Sequence, residues 1–364
     1  MINRNLQNGG HALLFGRAGC GKTFFVKREI TALLATRNDI DVIVVDTNRD
    51  YKQFCSQLEG TYINLNEKMV NPLDLAIKFD VYGEDKNYYI SDKTDEIISL
   101  IEMMANKTLS IEEIKDIEKA MSSIYDEYFD SIPLEAFKNG STYYIDRDKS
   151  PILTNLYHEL SSEKLKIIIE PYLYTCLNGK NFTGRSRLTV YNISDISHGI
   201  KSVMYTGVLI DVMNKIKENY NNGHTTYVYL EDLQILINLP VTERIKTYVK
   251  RFRKNRAVFT GISQKFGDFL TDSNYYCLLN NSDYIYLFNL ISDDVDKLVD
   301  LGVLTKRKSK KVDLEMIPVN CGYVYIKNNK WRKFHINTDS ELKEKHKDAY
   351  YKGLCYNKNA YHLL

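Results

Sequence analysis

The sequence predicts an α/β protein: a mostly parallel sheet flanked by helices, an all-α insertion, and a small C-terminal β tail. Three observations predict it. Short apolar runs alternate with helical periodicity before residue 76, the alternation resumes near Arg187, and helical patterning fills the stretch between.

Residues 11–15 form a short apolar run ending in glycine, as a buried strand does. Residues 23–36 repeat apolar side chains at helical spacing through Phe24, Phe25, Ile30, Leu33 and Leu34. Residues 42–45 are β-branched and closed by Asp46, the pattern of a central parallel strand. Residues 61–65 read as a strand, and Asn71-Pro72 ends that run. From about Lys86 to Lys180 the pattern is helical. Residues 94–104 carry Ile97, Ile98, Ile101 and Met104; Ser110-Ile111-Glu112-Glu113 is a capping box opening a helix through Met121. Pro133, Pro151 and Pro171 punctuate the later helices. Residues 188–193 and 225–230 read as strands with one long helix between them. A basic helix spans 242–254, strands span 258–262 and 283–288, and 322–334 reads as a hairpin turning at Asn328-Asn329. Residues 1–80 and 187–320 are then the two parts of the core, 81–186 the insertion, and 321–364 a hairpin and helical tail.

The 364 residues are 44% hydrophobic and 26% charged, an ordinary soluble composition. Lys plus Arg is 49 against 47 Asp plus Glu, a net charge of +2, so any contact with nucleic acid needs a local patch. No apolar run approaches the ~20 residues of a membrane span, and residues 1–15 lack a signal-peptide pattern. The six cysteines form no CxxC pair and the seven histidines are scattered, which argues against a disulfide framework or a zinc site and fits a reducing cytosol.

The strongest motif is Gly16-Arg17-Ala18-Gly19-Cys20-Gly21-Lys22-Thr23, between a predicted strand and the predicted helix 23–36 that carries Phe24. Its glycines let backbone N–H groups converge on a phosphate, and the helix end adds a positive dipole. Lys22 can reach β- and γ-phosphates, and Thr23 can hold Mg²⁺. Cys20 is either a thiol with depressed pKa or a small residue that fits the loop. A second motif is the apolar strand Tyr227-Val228-Tyr229-Leu230 ending in Glu231-Asp232; phosphoryl transfer needs one acid near Mg²⁺ and often another to orient water. Asp46 and Asp50 come after the second strand, where they either face the γ-phosphate or lie in a solvated loop. Gln264, after strand 258–262, is either a γ-phosphate sensor or a loop polar group. The segment 244–256 holds seven cations against Glu243, counting Arg244. It is a solvated face, an arginine finger acting in trans, or a nucleic-acid contact. The run 306–311 reads as an exposed basic loop.

In order and spacing these motifs resemble the ATPase domain of the VirB-type type IV secretion ATPase, the fourth VirB component, in the HerA–FtsK superfamily. The matching stretches are 11–29, 42–51, Asn71-Pro72-Leu73-Asp74-Leu75, 225–236 and 253–270, with 280–288 looser. The resemblance implies a RecA-like P-loop NTPase core and an ATP-hydrolysing motor or assembly ATPase of conjugative transfer, with ATP and Mg²⁺ as cofactors. It implies a homo-oligomer, with a hexamer as one form. The chain would be cytoplasmic and peripheral at the inner face of the membrane, beside secretion-channel components, with no transmembrane segment of its own. DNA contact would run through the basic helix. By motif position Gly16, Arg17, Ala18, Gly19, Cys20, Gly21, Lys22, Thr23 and Phe24 bind nucleotide, and Thr23 and Glu231 serve the metal through it. Asp232 takes the catalytic-acid place, Gln264 the sensor place, and Arg253 or Arg256 the finger.

The departures are specific. The family ends its acidic strand in Asp-Glu, and here the order is Glu231-Asp232. The family's Glu after the second strand is Asp50, and its Pro after Asp46 is Thr47. Losing a methylene retracts a carboxylate by ~1.5 Å. Adjacent strand residues point to opposite faces, so the acids cannot trade roles unless the strand has already ended. These changes weigh against efficient hydrolysis, not against ATP binding. They keep two alternatives open: a nucleotide-gated scaffold of the same apparatus, and a generic DNA-translocating P-loop ATPase. The family's usual N-terminal domain is not represented, so the chain reads as a fragment or a truncated protein.

Overall fold

In the computed structural model, residues 10–75, 79–81, 85–137, 140–143, 146–181, 186–236, 239, 242–270, 273–300, 314–326 and 330–336 are described. The basic run 306–311, the turn at Asn328-Asn329 and the expected helical tail lie outside them. The chain opens with β1 (Ala12–Phe15), α1 (Lys22–Thr36), β2 (Ile40–Asp46), α2 (Lys52–Gln57) and β3 (Thr61–Asn64). The insertion contains β4 (Phe79–Val81), α3 (Asp85–Ala105), α4 (Ile111–Ser131), β5 (Leu134–Phe137), β6 (Gly140–Tyr143), α5 (Leu153–Glu159) and α6 (Glu163–Ile169). The core resumes with β7 (Leu188–Asn192), α7 (His198–Asn221), β8 (Thr225–Leu230), α8 (Thr242–Lys254), β9 (Ala257–Ser263), α9 (Ser273–Asn281), β10 (Tyr284–Leu287) and α10 (Ser292–Asp300). The antiparallel pair β11 (Cys321–Ile326) and β12 (Lys330–His335) closes the described chain.

The main sheet has the order β12-β11-β10-β1-β9-β8-β2-β7-β3 among the described residues. Every pairing from β10 through β3 is parallel. Antiparallel pairing begins only where β11 joins β10, so the C-terminal hairpin extends the sheet rather than standing apart. Alternation along the strands divides the core between two faces. Leu13, Phe15, Ile43, Val45, Val228 and Leu230 face a core shared with α7 and the insertion. Ala12, Leu14, Val42, Val44, Tyr227 and Tyr229 face α1 and α2 through Phe25, Val26, Ile30 and Phe54. A sheet buried on both faces explains the continuous apolar runs in the sequence.

The insertion departs from the all-α expectation. It also carries a small antiparallel sheet, order β4-β6-β5. Pro133 cannot continue α4, and the aromatic and β-branched Phe137, Thr142 and Tyr143 beyond it favour extended backbone. β4 begins at Phe79, so a boundary between residues 80 and 81 cuts a strand. The capping box of α4 is formed on both arms: Glu113 N–H donates to Ser110 Oγ at 3.3 Å, and Ser110 N–H to Glu113 Oε2 at 2.8 Å.

A buried polar seam joins the insertion to α7. Asn214 Nδ2 donates to Asp74 O at 2.6 Å, while Lys93 Nζ, from α3, donates to Asn214 Oδ1 at 3.3 Å. Arg147 pairs with Glu218 of α7 at 2.8 Å. Removing the Asn214 side chain takes a partner from a buried lysine and a buried carbonyl together. Asn214→Ala is therefore expected to lower the unfolding free energy by about 1–3 kcal/mol in a urea titration. An unchanged midpoint would mean the seam does not fasten the insertion to the core.

Candidate functional site

Parallel strands end together, so the segments after β1, β2, β8 and β9 meet at one edge of the sheet. After β1 the chain turns through Gly16–Gly21 into α1. Gly21 caps that helix with φ 104° and offers no side chain, and the first turn holds no acidic residue. The amides at the helix start therefore have no capping side chain, and no carboxylate in that turn offsets the positive dipole end. Gly19 has φ 76°, and a Cβ placed on it would meet nothing within 4 Å. Arg17, Ala18 and Gly19 form the exposed rim, Thr23 and Phe24 are half-buried, and Lys22 is buried. Lys22 Nζ donates to Gly16 O at 2.6 Å and to Arg17 O at 3.0 Å, which folds the ammonium over the loop.

The loop is braced from behind. Arg17 N–H donates to Asn289 O at 2.8 Å, and Asn320 N–H to Cys20 O at 3.1 Å. Asn289 Nδ2 in turn holds Glu315 O at 3.0 Å and Ile317 O at 3.2 Å. A Cβ on Gly21 would collide with Asn320 Oδ1, so both the backbone angle and the neighbour require glycine there. Burial pushes the Cys20 thiol up, against the pull of Lys22, the direction opposite to a depressed thiol. Its Sγ lies 2.8 Å from where a Cβ on Gly16 would sit, so Cys20 serves as a small packed residue.

β8 has ended by Leu230, and Asp232 adopts φ 47°, so the acidic pair occupies a turn rather than opposite faces of a strand. The two carboxylates differ sharply. Glu231 is buried and accepts from Tyr51 Oη at 2.6 Å. Burial raises it to about 7; the Tyr51 bond and Lys22 lower it, and Asp232 and Asp46 add to the rise. Its backbone carbonyl is fixed by Tyr205 Oη at 2.9 Å. Asp232 accepts from Thr47 Oγ1 at 2.6 Å, Asn48 Nδ2 at 2.9 Å, Gln234 Nε2 at 2.9 Å and Gln264 Nε2 at 3.2 Å. Burial pushes it up, but those four donors outweigh burial and hold it below the usual carboxylate range. The edge therefore carries an ionised carboxylate beside an amide, and a second carboxyl poised near neutrality beside a lysine.

The Asp46 carboxylate is bound by its own loop. It accepts from the N–H groups of Asn48 and Asp50 at 3.1 Å and Tyr51 at 2.9 Å, closing the loop after β2. Asp50 is exposed, and its carbonyl accepts from Lys27 Nζ of α1 at 2.6 Å. Arg253 pairs with Asp283 at 2.8 Å where β10 begins, and Arg256 lies 5.8 Å from the Tyr220 ring centre just before β9. Both arginines thus sit at the edge opposite the glycine loop of their own chain. The sequence pattern did not point to Tyr51, Asn289 or Asn320. Thr47 and Asn48 carried one signal, their place directly after a strand.

The fold is a RecA-like P-loop core, a mostly parallel sheet flanked by helices. The chain belongs to the family described as helicase HerA, central domain (DUF87), whose model matches residues 8–251. Its fold is similar to VirB4 of Thermoanaerobacter pseudethanolicus, with TM-score 0.75 and 18% identity over 94% of this chain and 93% of that one. It is also similar to the bacterial conjugative coupling protein TrwB. The form of TrwB in complex with ADP and Mg²⁺ gives TM-score 0.57 and 12% identity over 90% of this chain and 84% of that one. Among curated sequences no match is found.

Folding raises the Glu231 pKa from 4.5 to about 7, so within that window the folded chain keeps a proton the unfolded chain has released. Stability therefore falls as pH rises through the window. Without nucleotide, Glu231→Gln is expected to gain on the wild type by on the order of 3 kcal/mol between about pH 4 and about pH 8 in denaturant titrations. Parallel profiles would contradict the buried titration.

Proposed function

We propose that the chain is an ATP-hydrolysing motor, or assembly ATPase, of a conjugative type IV secretion system. The observation that carries this is the shared edge. One helix start, Lys22, Glu231, Asp232 and Gln264 come together there from strands that are distant in sequence. The solved relatives add support: TrwB is a conjugative coupling protein and has been seen with ADP and Mg²⁺.

The residues fit ATP and Mg²⁺. The open Cβ direction at Gly19 and the uncapped amides at the start of α1 form a cradle for phosphate oxygens. Lys22 leaves the carbonyls of Gly16 and Arg17 to meet the β- and γ-phosphates, and Thr23 with Glu231 serves the metal. When bound, Mg²⁺ supplies charge neutralisation on the phosphates. Asp232, ionised and next to Gln264, accepts a hydrogen bond from the attacking water, and Gln264 reads the γ-phosphate. Asp50 sits on the loop that Asp46 closes, on the exposed side of the same edge. Arg253 or Arg256 reaches a neighbouring subunit's site from the opposite edge, which requires a homo-oligomer such as a hexamer. Among the described residues no helix is long and apolar enough to cross a membrane, and we place the chain peripherally beside channel components. The basic face of α8 is the DNA contact.

A second reading, a nucleotide-gated scaffold with weak hydrolysis, is favoured by one observation. Four neutral donors already occupy the Asp232 carboxylate, which leaves it less able to take a proton.

Turnover decides between the readings. Lys22→Ala is expected to abolish ATPase activity, and unchanged turnover would remove the site altogether. Asp232→Ala is expected to cost about 10²-fold or more in kcat under the motor reading; a wild type already at background would favour the scaffold. Specific activity is expected to rise with protein concentration, because the arginine comes from a neighbour. Appreciable turnover independent of concentration would reject the finger in trans.

A further inference from the structure

Away from the nucleotide edge, the first turns of α3 and the last turns of α7 and α8 enclose a groove of about 290 Å³. It opens where β8 and β9 begin, at the opposite side of the sheet from the glycine loop. Its floor is built around one carboxylate. Asp92, 8% exposed, receives Lys217 Nζ on one oxygen at 3.1 Å and Arg251 Nη1 on the other at 2.5 Å. Two cations share one anion, so the floor keeps a positive charge. Exposed Lys254 adds another, and Arg256 stands beside the groove over Tyr220.

The walls are aromatic. Tyr88 is 63% exposed and Tyr220 42% exposed, both large rings left to solvent beside those cations. Asp92 fixes Lys217 and Arg251 in place, so little side-chain freedom is lost when an anion approaches them. Fixed cations beside exposed ring faces suit a ligand with repeated negative charges and planar groups free to stack. A duplex hides its base faces, and an acidic peptide has none. A single strand offers both features.

We propose that this groove is a binding site for single-stranded nucleic acid. Bases stack on Tyr88 and Tyr220, and phosphates lie against Arg251 and Lys254. The proposal rests on the DNA-contacting part of the preceding reading and narrows it from a helix face to a built site. It is independent of the glycine loop.

The test is fluorescence anisotropy of the full chain with labelled oligo(dT), titrated at several salt concentrations. Unlabelled duplex, a mononucleotide and poly-glutamate serve as competitors. The expected result is salt-sensitive binding of oligo(dT) that the competitors displace poorly. Tyr88→Ala with Tyr220→Ala should weaken it by about tenfold or more with the salt slope unchanged. Lys254→Gln, on an exposed side chain that leaves the core intact, should reduce the slope by about one. Thermal midpoints of both variants should match the wild type. Wild-type affinity in both variants would overturn the groove and leave DNA contact elsewhere on the chain. No oligo(dT) binding by the wild type would overturn both. Equal displacement by poly-glutamate would make the groove an ionic patch for an acidic protein, and displacement by the mononucleotide alone would reduce it to a small-molecule site.

Discussion

Strand direction is the constraint on which the rest of the molecule depends. Because β10, β1, β9, β8, β2, β7 and β3 all run the same way, each contributes its C-terminal loop to a single edge. The glycine loop after β1, the Thr47–Tyr51 loop after β2, the acidic turn after β8 and Gln264 after β9 become neighbours through that geometry alone. One reversed strand among β1, β9, β8 and β2 would carry its loop to the opposite edge. Burial on both faces holds the arrangement, since a slip of one residue would exchange the α1 side of the core for the α7 side.

Within that edge, environment separates two chemically similar groups. Glu231 is enclosed and has Tyr51 as its hydrogen-bond donor, so its proton is lost only near neutrality. Asp232 is one residue further on, in a left-handed turn, among four donors, and stays ionised. The reversal of the acidic pair is thus absorbed by the backbone, since the strand has ended before the pair begins. The cost falls on freedom of movement, because a carboxylate fixed by Thr47, Asn48, Gln234 and Gln264 has few orientations left.

Much of this was legible in the residues. Spacing and flanks put the glycine loop between a strand and a helix, where it lies between β1 and α1. The strands were visible as runs of apolar residues, because burial on both faces leaves them no polar alternation. Tyr51 was not legible, since nothing local distinguishes a tyrosine that will meet Glu231 180 residues later. Asn320 meets the loop through its backbone N–H, and Asn289 holds it through its carbonyl while its side-chain amide binds carbonyls of a distant segment, so neither left a local signature. The small sheet in the insertion was hidden because three or four residues per strand are too few to show a period. Asp46 stayed open between two roles because a strand-end carboxylate can turn outward to a ligand or inward to its own loop amides, and the sequence is the same in both cases.

The central claim is that amides at the start of α1 bind a triphosphate. Isothermal titration calorimetry of the folded chain with ATP, with and without Mg²⁺, measures it directly. The account predicts saturable, magnesium-dependent heat that disappears in Gly21→Ala, where φ 104° and the nearby Asn320 leave no room for a methyl group. Absence of any such heat in well-folded wild-type protein would contradict it.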